Sequence, residues 1–555
     1  MTPRISRLFL VCLSFPYGLP AQVTFDRLVN AEKEPGNWLT YSGALSGVRH
    51  SRLHNINLQN VLGLELQWVY QARSLEKFEA TPLVVDGILY TVQAPNDVVA
   101  LDAATGRVFW TYSYTPSKEA RLCCGRINRG LAILGDTLFM ATIDAHLVAI
   151  DAKNGKPLWD TVVAKAEAGY AMTHAPLIVK DKVIVGTAGG EYGIRGFLAA
   201  FNVNTGREVW RFYTTAGPGD PNQMTWAGDS WKTGGGSIWV TGSYDPSLDL
   251  IYWGTGNPGP SHNGETREGD NLYTDSVVAL DSSTGKLKWF YQFSPHDEFD
   301  YDSVQIPVLA DMPWRDRNGT TRQRKVILWA NRNGLFYVLD RATGEFLLGK
   351  PFVEVTWMDG FDEKGRPLKI QGKAPSKEGT LVFPGNQGGT NWYSPSYSAR
   401  TGLFYIPSWV GYSTTFVKAD TEYVEGQVFG VGLQRSVIPG SNLNGRAAQN
   451  FRRPDEGFGA IRAVDPTTGK RKWEYKMNDV TDAGILTTDS DLLFSGGREG
   501  YFFALNARTG ALLWKASLGG VVASGPISYT AGGRQFVAVS AGSSLYTFAL
   551  RERNR

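Results

Sequence analysis

Seven times along the chain an apolar run reaches an aspartate or asparagine, breaks at a short polar turn ending in glycine, and resumes as a second short run. The copies read LDAATGRVFW (101–110), IDAKNGKPLW (150–159), FNVNTGREVW (201–210), LDSSTGKLKW (280–289), LDRATGEFLL (339–348), VDPTTGKRKW (464–473) and LNARTGALLW (505–514). All but the fifth end on tryptophan. Each copy predicts a β-hairpin: one strand ends at the Asp or Asn, glycine takes the positive φ it adopts without strain, and the next strand ends on the tryptophan. Apolar stretches split by a polar turn, such as PLVVDGILYTV (82–92) and APLIVKDKVIVGT (175–187), precede most copies and predict a further hairpin.

Two hairpins make a four-stranded unit. Tryptophan spacings of 41, 49 and 51 residues (473 to 514, 110 to 159, 159 to 210) match the length of one propeller blade. The seven copies, with a divergent unit at GLELQWVYQ (63–71) or SYSARTGLFYIP (396–407), predict an all-β, eight-bladed β-propeller with Trp-docking blade repeats, occupying 22–555 as a single domain. A repeat array accounts for a domain larger than one conventional core supports. On this reading Trp110, Trp159, Trp210, Trp289, Trp473 and Trp514 are structural, packing between neighbouring blades. The long gaps at 211–280 and 349–463 hold insertions on one face. One of them, 411–455, is long and irregular enough to roof an entrance.

Composition agrees with short strands and tight turns: 63 glycines, 17 tryptophans and 24 tyrosines in 555 residues. A formal charge of +3 without long basic runs argues against nucleic acid as a partner. Arg4 and Arg7 precede a short apolar run ending near Pro16, and Ala21 offers a small residue at a cleavage point. Residues 1–21 are therefore expected to be a secretory signal peptide, too short to span a membrane. Cys12 lies inside it, with too short an apolar run ahead of it for a strong lipoprotein signal. Beyond it only Cys123 and Cys124 remain, side by side, in an exported and oxidising setting. Adjacent cysteines make a poor staple, because a ring closed over one peptide bond gains almost no loop-closure entropy.

The unusual polar clusters fall between the repeats. GGEYGIRG (189–196) carries Glu191, LIYWGTGNPGP (250–260) carries Asn257, and SPHDEFDYDS (294–303) carries Asp297, Glu298, Asp300 and Asp302. Carboxylate and amide oxygens suit a hard cation, so Glu191, Asn257 and one or two of these aspartates are candidate Ca²⁺ ligands, against the plainer reading of solvated loop acids. GTGNPG imitates a dinucleotide-binding loop, but Pro258 and Pro260 forbid the helix that such a loop must open. The chain has no P-loop, no H-E-x-x-H, no G-x-S-x-G and no C-x-x-C-H. Nucleotide, zinc, serine-hydrolase and covalent-haem chemistries are thereby disfavoured.

Eight motifs in order, CCGRINRG, MTHAPLIV, GTAGGEYGIRG, GGGSIW, GTGNPGP, PHDEFDYD, NRNGLFYVLDR and GGTNW, resemble the PQQ-dependent alcohol dehydrogenases, quinoproteins of the methanol and ethanol dehydrogenase type. The likeness runs from about residue 35 to 548. It implies an eight-bladed propeller whose quinone lies between Trp239 and a vicinal disulfide of Cys123 and Cys124. It further implies cofactor contacts from Glu79, Arg129, Thr173, Gly189, Gly190, Ser237, Arg332 and Asn391. The implied metal ligands are Glu191, Asn257 and Asp300, with Asp300 also the catalytic base.

In that family a second Asp two residues after the base, here Asp302, marks lanthanide-dependent members. The expected metal is Ca²⁺ or a trivalent lanthanide, with the extra carboxylate tilting toward the lanthanide. The resemblance implies a periplasmic enzyme that oxidises a small primary alcohol and passes electrons to a soluble cytochrome c. A sugar or polyol dehydrogenase and a non-catalytic propeller scaffold are the alternatives. One departure stands out: NDVTDAGILTTDSDLLFSGG (478–497) has Asp482 and Ala483 where relatives are richer in glycine, beside the expected quinone edge.

Overall fold

A computed structural model describes residues 23–316, 318–419, 422–430, 451–452 and 457–551. The expected leader at 1–21, and residues 420–421, 431–450 and 453–455 of the irregular segment, lie outside the described residues.

Eight antiparallel sheets follow one another along the chain. Seven are built from strands within 83–112, 132–162, 177–213, 243–292, 308–351, 396–477 and 486–517. In the sixth, Tyr412–Phe416 and Phe451–Arg452 intervene and pair in a separate sheet, and in the seventh His50–Ser51 adds a short parallel strand beside Leu486–Thr488. The eighth takes three strands from 527–550, and its outer strand is Leu64–Gln71, paired from Leu64↔Leu550 to Gln71↔Ser544. Both divergent segments are thereby placed. SYSARTGLFYIP forms the inner hairpin of the blade that ends in VDPTTGKRKW, whereas GLELQWVYQ completes the eighth blade. A chain that donates its first long strand to its last blade closes the ring by ordinary hydrogen bonds and leaves few open edges.

Within a blade, the first strand is buried throughout, as at Leu83–Val85, and the last is half-exposed, as at Val108–Tyr112. The first strand is therefore innermost. The repeat tryptophans sit within the outer strands rather than at their ends, since pairing resumes beyond the turn after a register shift, as between Ala100 and Leu101. Each ring lies on the turn glycine of the next repeat: Trp110 on Gly155, Trp159 on Gly206, Trp210 on Gly285, Trp289 on Gly344, Trp473 on Gly510. Trp68 of the eighth blade lies on Gly106 of the first, closing the circle. A methyl at Gly155 would meet the Trp110 ring at 2.5 Å, so the position needs both the positive φ of +74° and the missing side chain.

The indole N–H groups of Trp110, Trp159, Trp210 and Trp473 donate to carbonyls of the next blade (Ala152, Val203, Ser282 and Ala507) at 3.0–3.2 Å. A large apolar ring is thus buried without stranding its polar edge. Trp514 departs from the scheme and packs edge-on against Phe548, with ring centroids 5.2 Å apart.

Candidate active site

The blade repeat delivers side chains to one end of the ring from two loops per blade: the loop entering the innermost strand, and the loop joining the second strand to the third. The entering loops carry Glu79, Arg129, Thr173, Ser237 with Trp239, Asp300 with Asp302, and Asn391. The second set carries Glu191, between Lys182–Gly186 and Phe197–Asn202, and Asn257, between Leu250–Gly254 and Ser276–Asp281. Arg332 follows Thr321–Ala330 in the same set. In an antiparallel blade these two loops emerge at the same end, so residues distant in sequence converge.

Arg129 organises one side. Its Nη2 lies 3.0 Å from Glu79 Oε2, both side chains buried, and its Nη1 donates to Thr173 Oγ1 at 3.0 Å and to the Trp239 carbonyl at 3.2 Å. The guanidinium lies 5.1 Å from the Trp239 ring centroid and 4.7 Å from that of Trp392. Glu79, Arg129, Thr173 and Trp239 are therefore brought together. Trp392 joins them although the sequence reading stopped one residue short of it; its signal was the W of GGTNW. Asn391 does not bond to this group. Its amide caps its own loop, donating to the Gln387 carbonyl and accepting the Trp392 N–H at 2.9 Å.

Arg332 organises the other side. Its Nη1 donates to Asp302 Oδ2 at 2.6 Å, Nη2 to Asp300 Oδ2 at 2.8 Å, and Nε to the Asn386 carbonyl at 2.6 Å. Asp302 Oδ1 accepts the Asn257 N–H at 2.9 Å, and the Asn257 side chain donates to Ser261. Glu191 projects from a single 3₁₀ turn at Gly190–Tyr192. Gly189 opens that turn at φ +112°, and a methyl there would fall 1.9 Å from the Gly169 carbonyl oxygen. Gly190 leaves room for Ser237, whose Oγ lies 3.3 Å from where a side chain would begin. Asp297 and Glu298 serve the loops themselves, accepting N–H groups of Phe299, Tyr301 and Gly264.

Burial pushes the carboxyls of Asp300, Asp302 and Glu191 upward, and Arg332 opposes the rise in each. The acids raise one another: Asp302 and Glu191 act on Asp300, and Asp302 acts on Glu191. Asp297 is pushed up to about 6, again by burial. Oxygen-rich, largely withdrawn from solvent and short of positive charge, the cluster is electrostatically suited to a hard multivalent cation.

Cys123 and Cys124 are joined by a disulfide in the connection between the first two blades, and Cys123 Sγ lies 3.1 Å from Glu191 Oε1. The pair thus reaches the loop that carries the candidate metal ligand. Residues 422–430 cross the same place: the Phe429 N–H donates to the Glu191 carbonyl at 2.5 Å, and the Tyr423 and Phe429 rings meet edge-on at 5.4 Å. This much of the irregular segment lies over the Glu191 turn.

The family described as "Glucose/ethanol/alcohol dehydrogenase, beta-propeller domain", of the PQQ class, matches residues 38–357. The chain belongs to the PQQ-dependent alcohol dehydrogenase family. A second family, "Outer membrane protein assembly factor BamB", matches 457–555. The chain is 35% identical over 563 residues to quinohemoprotein alcohol dehydrogenase ADH IIB of Pseudomonas putida, covering 97% of this chain and 78% of that protein. It is also 35% identical over 548 residues to the lanthanide-dependent methanol dehydrogenase of Methylacidiphilum fumariolicum, covering 93% and 86% respectively. Among solved structures, a europium-containing methanol dehydrogenase superposes with a TM-score of 0.85 at 32% identity, covering 95% of this chain and all of that one. Quinohemoprotein alcohol dehydrogenase from Comamonas testosteroni gives 0.87 at 32% identity, covering 96% and 83%. Enzymatic membership removes the scaffold alternative. No helix among the described residues is long and apolar enough to cross a membrane.

Proposed function

We propose that this quinoprotein oxidises a small primary alcohol to the aldehyde in the periplasm, using PQQ and one metal ion, and passes electrons to a soluble cytochrome c. The carrying observation is the convergence of Asp300, Asp302, Glu191 and the Asn257 loop around Arg332. The donor set fits a hard cation: one buried carboxyl, Asp302, two half-buried ones, Asp300 and Glu191, all three pushed upward, and one amide. The cofactor side also fits, with the Arg129–Glu79 pair, Thr173 and the rings of Trp239 and Trp392 gathered around one guanidinium.

Glu191, Asn257, Asp300 and Asp302 would hold the metal. PQQ, when bound, would supply a two-electron acceptor, and the metal would supply Lewis acidity. The chain's own residues then do four things. Arg332 fixes Asp300 through Oδ2, which leaves Oδ1 to accept the alcohol's hydroxyl proton. Arg332 would also supply positive charge to offset negative charge developing on the reduced cofactor. Asp302, clamped by the Asn257 N–H and Arg332, adds anionic charge that favours a trivalent lanthanide over Ca²⁺. The Cys123–Cys124 pair and Trp239 would close over the two faces of the ring system.

The experiment is dye-linked oxidation by purified protein loaded with PQQ and either CaCl₂ or LaCl₃, with ethanol, glucose and glycerol as substrates. The reading expects ethanol turnover with lanthanum well above that with calcium. Equal rates with the two metals would overturn the lanthanide assignment. Glucose turnover without ethanol turnover would overturn the substrate.

A further inference from the structure

Asp482 is the fully buried member of a charged cluster that the mechanism above does not use. Arg498 grips it through Nε at 3.0 Å and Nη2 at 3.2 Å, and Lys77 Nζ lies 3.7 Å from Oδ2. The blade repeat says where this cluster points. Asp482 stands four residues before its blade's innermost strand, Leu486–Thr488, the position that Glu79 and Thr173 hold before Leu83–Val85 and Leu177–Val179. Arg498 lies in the turn GREG between Leu492–Gly496 and Tyr501–Asn506, the counterpart of NRNG with Arg332 two blades earlier. An arginine on an entering-loop aspartate is thus built twice, once at the candidate metal site and once in the seventh blade. A run of ring contacts joins this cluster to the Arg129 side: Trp409, under Arg498, stacks on Tyr393 with centroids 6.4 Å apart, and Tyr393 meets Trp392, on which Arg129 rests, at 5.3 Å.

The two copies differ in what the arginine has left to give. Arg332 spends all three sides of its guanidinium on Asp300, Asp302 and the Asn386 carbonyl. Arg498 spends two on Asp482, its carbon rests 4.9 Å from the Trp409 ring centroid, and Nη1 makes no hydrogen bond among the described residues. Its side chain keeps 20% exposure and that of Lys77 keeps 46%, while that of Asp482 has none. One buried carboxylate holds two part-exposed cations, and although the exposed Asp479 also acts on Arg498, Nη1 is left as a fixed, open N–H edge. That combination recognises a carboxylate.

The geometry points to a second carboxylate-binding point on the seventh-blade side of the chamber: Lys77 and Arg498, organised by Asp482, take up a carboxylate of the tricarboxylate cofactor. This rests on the PQQ reading given above. It also accounts for the departure at Asp482, since an acid at the quinone edge would repel an anionic cofactor unless it served to aim two cations at it.

The test is titration of the apo-protein with PQQ in LaCl₃, followed by quenching of tryptophan fluorescence, with PQQ trimethyl ester as the uncharged control. Arg498→Gln is expected to weaken PQQ binding roughly ten- to a hundredfold, the range for a lost charged hydrogen bond. Lys77→Met is expected to weaken it by a few-fold, and Arg498→Lys to restore part of the loss. Wild type and Arg498→Gln should bind the ester equally. Asp482→Asn, which frees both cations, should bind PQQ at least as tightly as wild type.

Unchanged PQQ affinity in Arg498→Gln and in the Arg498→Gln/Asp482→Asn double variant, with only melting temperatures lowered, would overturn the proposal in favour of a structural ion pair. Unchanged PQQ affinity together with a raised KM for lactate but not for ethanol in the loaded enzyme would reassign the point to an anionic substrate. A wild-type apo-protein that takes up no PQQ would overturn the functional reading itself.

Discussion

Replacing Arg332 by glutamine tests the electrostatic logic of the site. The substitution removes two charge-assisted hydrogen bonds, to Asp300 and Asp302, while an amide can still reach the Asn386 carbonyl. Each lost bond is worth about 1.5–3 kcal/mol, so the apo-protein should lose about 3–6 kcal/mol. At ~2.1 cal/mol/K per residue, a chain of 555 residues has an unfolding entropy of about 1.2 kcal/mol/K, and the melting temperature should fall by about 3–5 °C.

The same guanidinium is the cation that holds down Asp300, Asp302 and Glu191. Without it, an added metal supplies the missing positive charge. The rise in melting temperature on adding LaCl₃ to the apo-protein should therefore be larger in Arg332→Gln than in wild type. Scanning fluorimetry without PQQ reads both quantities. An apo melting temperature within about 1 °C of wild type, or a metal-induced rise no larger than wild type's, would refute the reasoning.

His174 is neutral, pushed down to about 3 by burial with Arg129 adding to the effect, and its Nε2 accepts the Gly186 N–H. Its stability contribution is full above the unfolded value near 6.5 and is lost as pH falls toward 3, at up to about 1.4 kcal/mol per unit. His174→Gln should flatten that acid limb in melting curves, and an unchanged slope would count against it. Gly189→Ala drives a methyl into the Gly169 carbonyl, so it should lower metal affinity at least tenfold by isothermal titration while circular dichroism keeps the wild-type strand signal. Replacing Cys123 and Cys124 by serine should weaken PQQ binding and shift the melting temperature little, because closing so small a ring contributes almost no loop entropy. A large drop in melting temperature would show the pair to be a staple after all.

The blades were legible because each repeat writes its turn locally: Asp or Asn, a glycine at positive φ, then a tryptophan for the neighbour's turn. What local pattern cannot show is which distant segment completes a sheet. The eighth blade borrows Leu64–Gln71 across almost the whole chain, so both candidate segments looked equally good. In the site, motif-bearing residues such as Arg129, Glu191 and Asp302 converge. The partners that tune them were hidden because they come from other blades. Nothing near Arg332 in sequence announces that it holds two aspartates at once, and Asn391 turned out to serve its own loop while Trp392 met Arg129. Asp297 was among the aspartates that residue type allowed as ligands, but both its oxygens are taken by backbone N–H groups, a use of carboxylates that composition cannot separate from metal binding.

Cofactor use is tested most directly by titrating the metal-loaded apo-protein with PQQ, following the quinone absorbance and then adding ethanol. The predicted result is saturation at one PQQ per chain, dependent on the metal, with the oxidised-quinone band bleaching as aldehyde forms. Absence of saturable uptake with either metal, or ethanol oxidation that proceeds equally without PQQ, would contradict it.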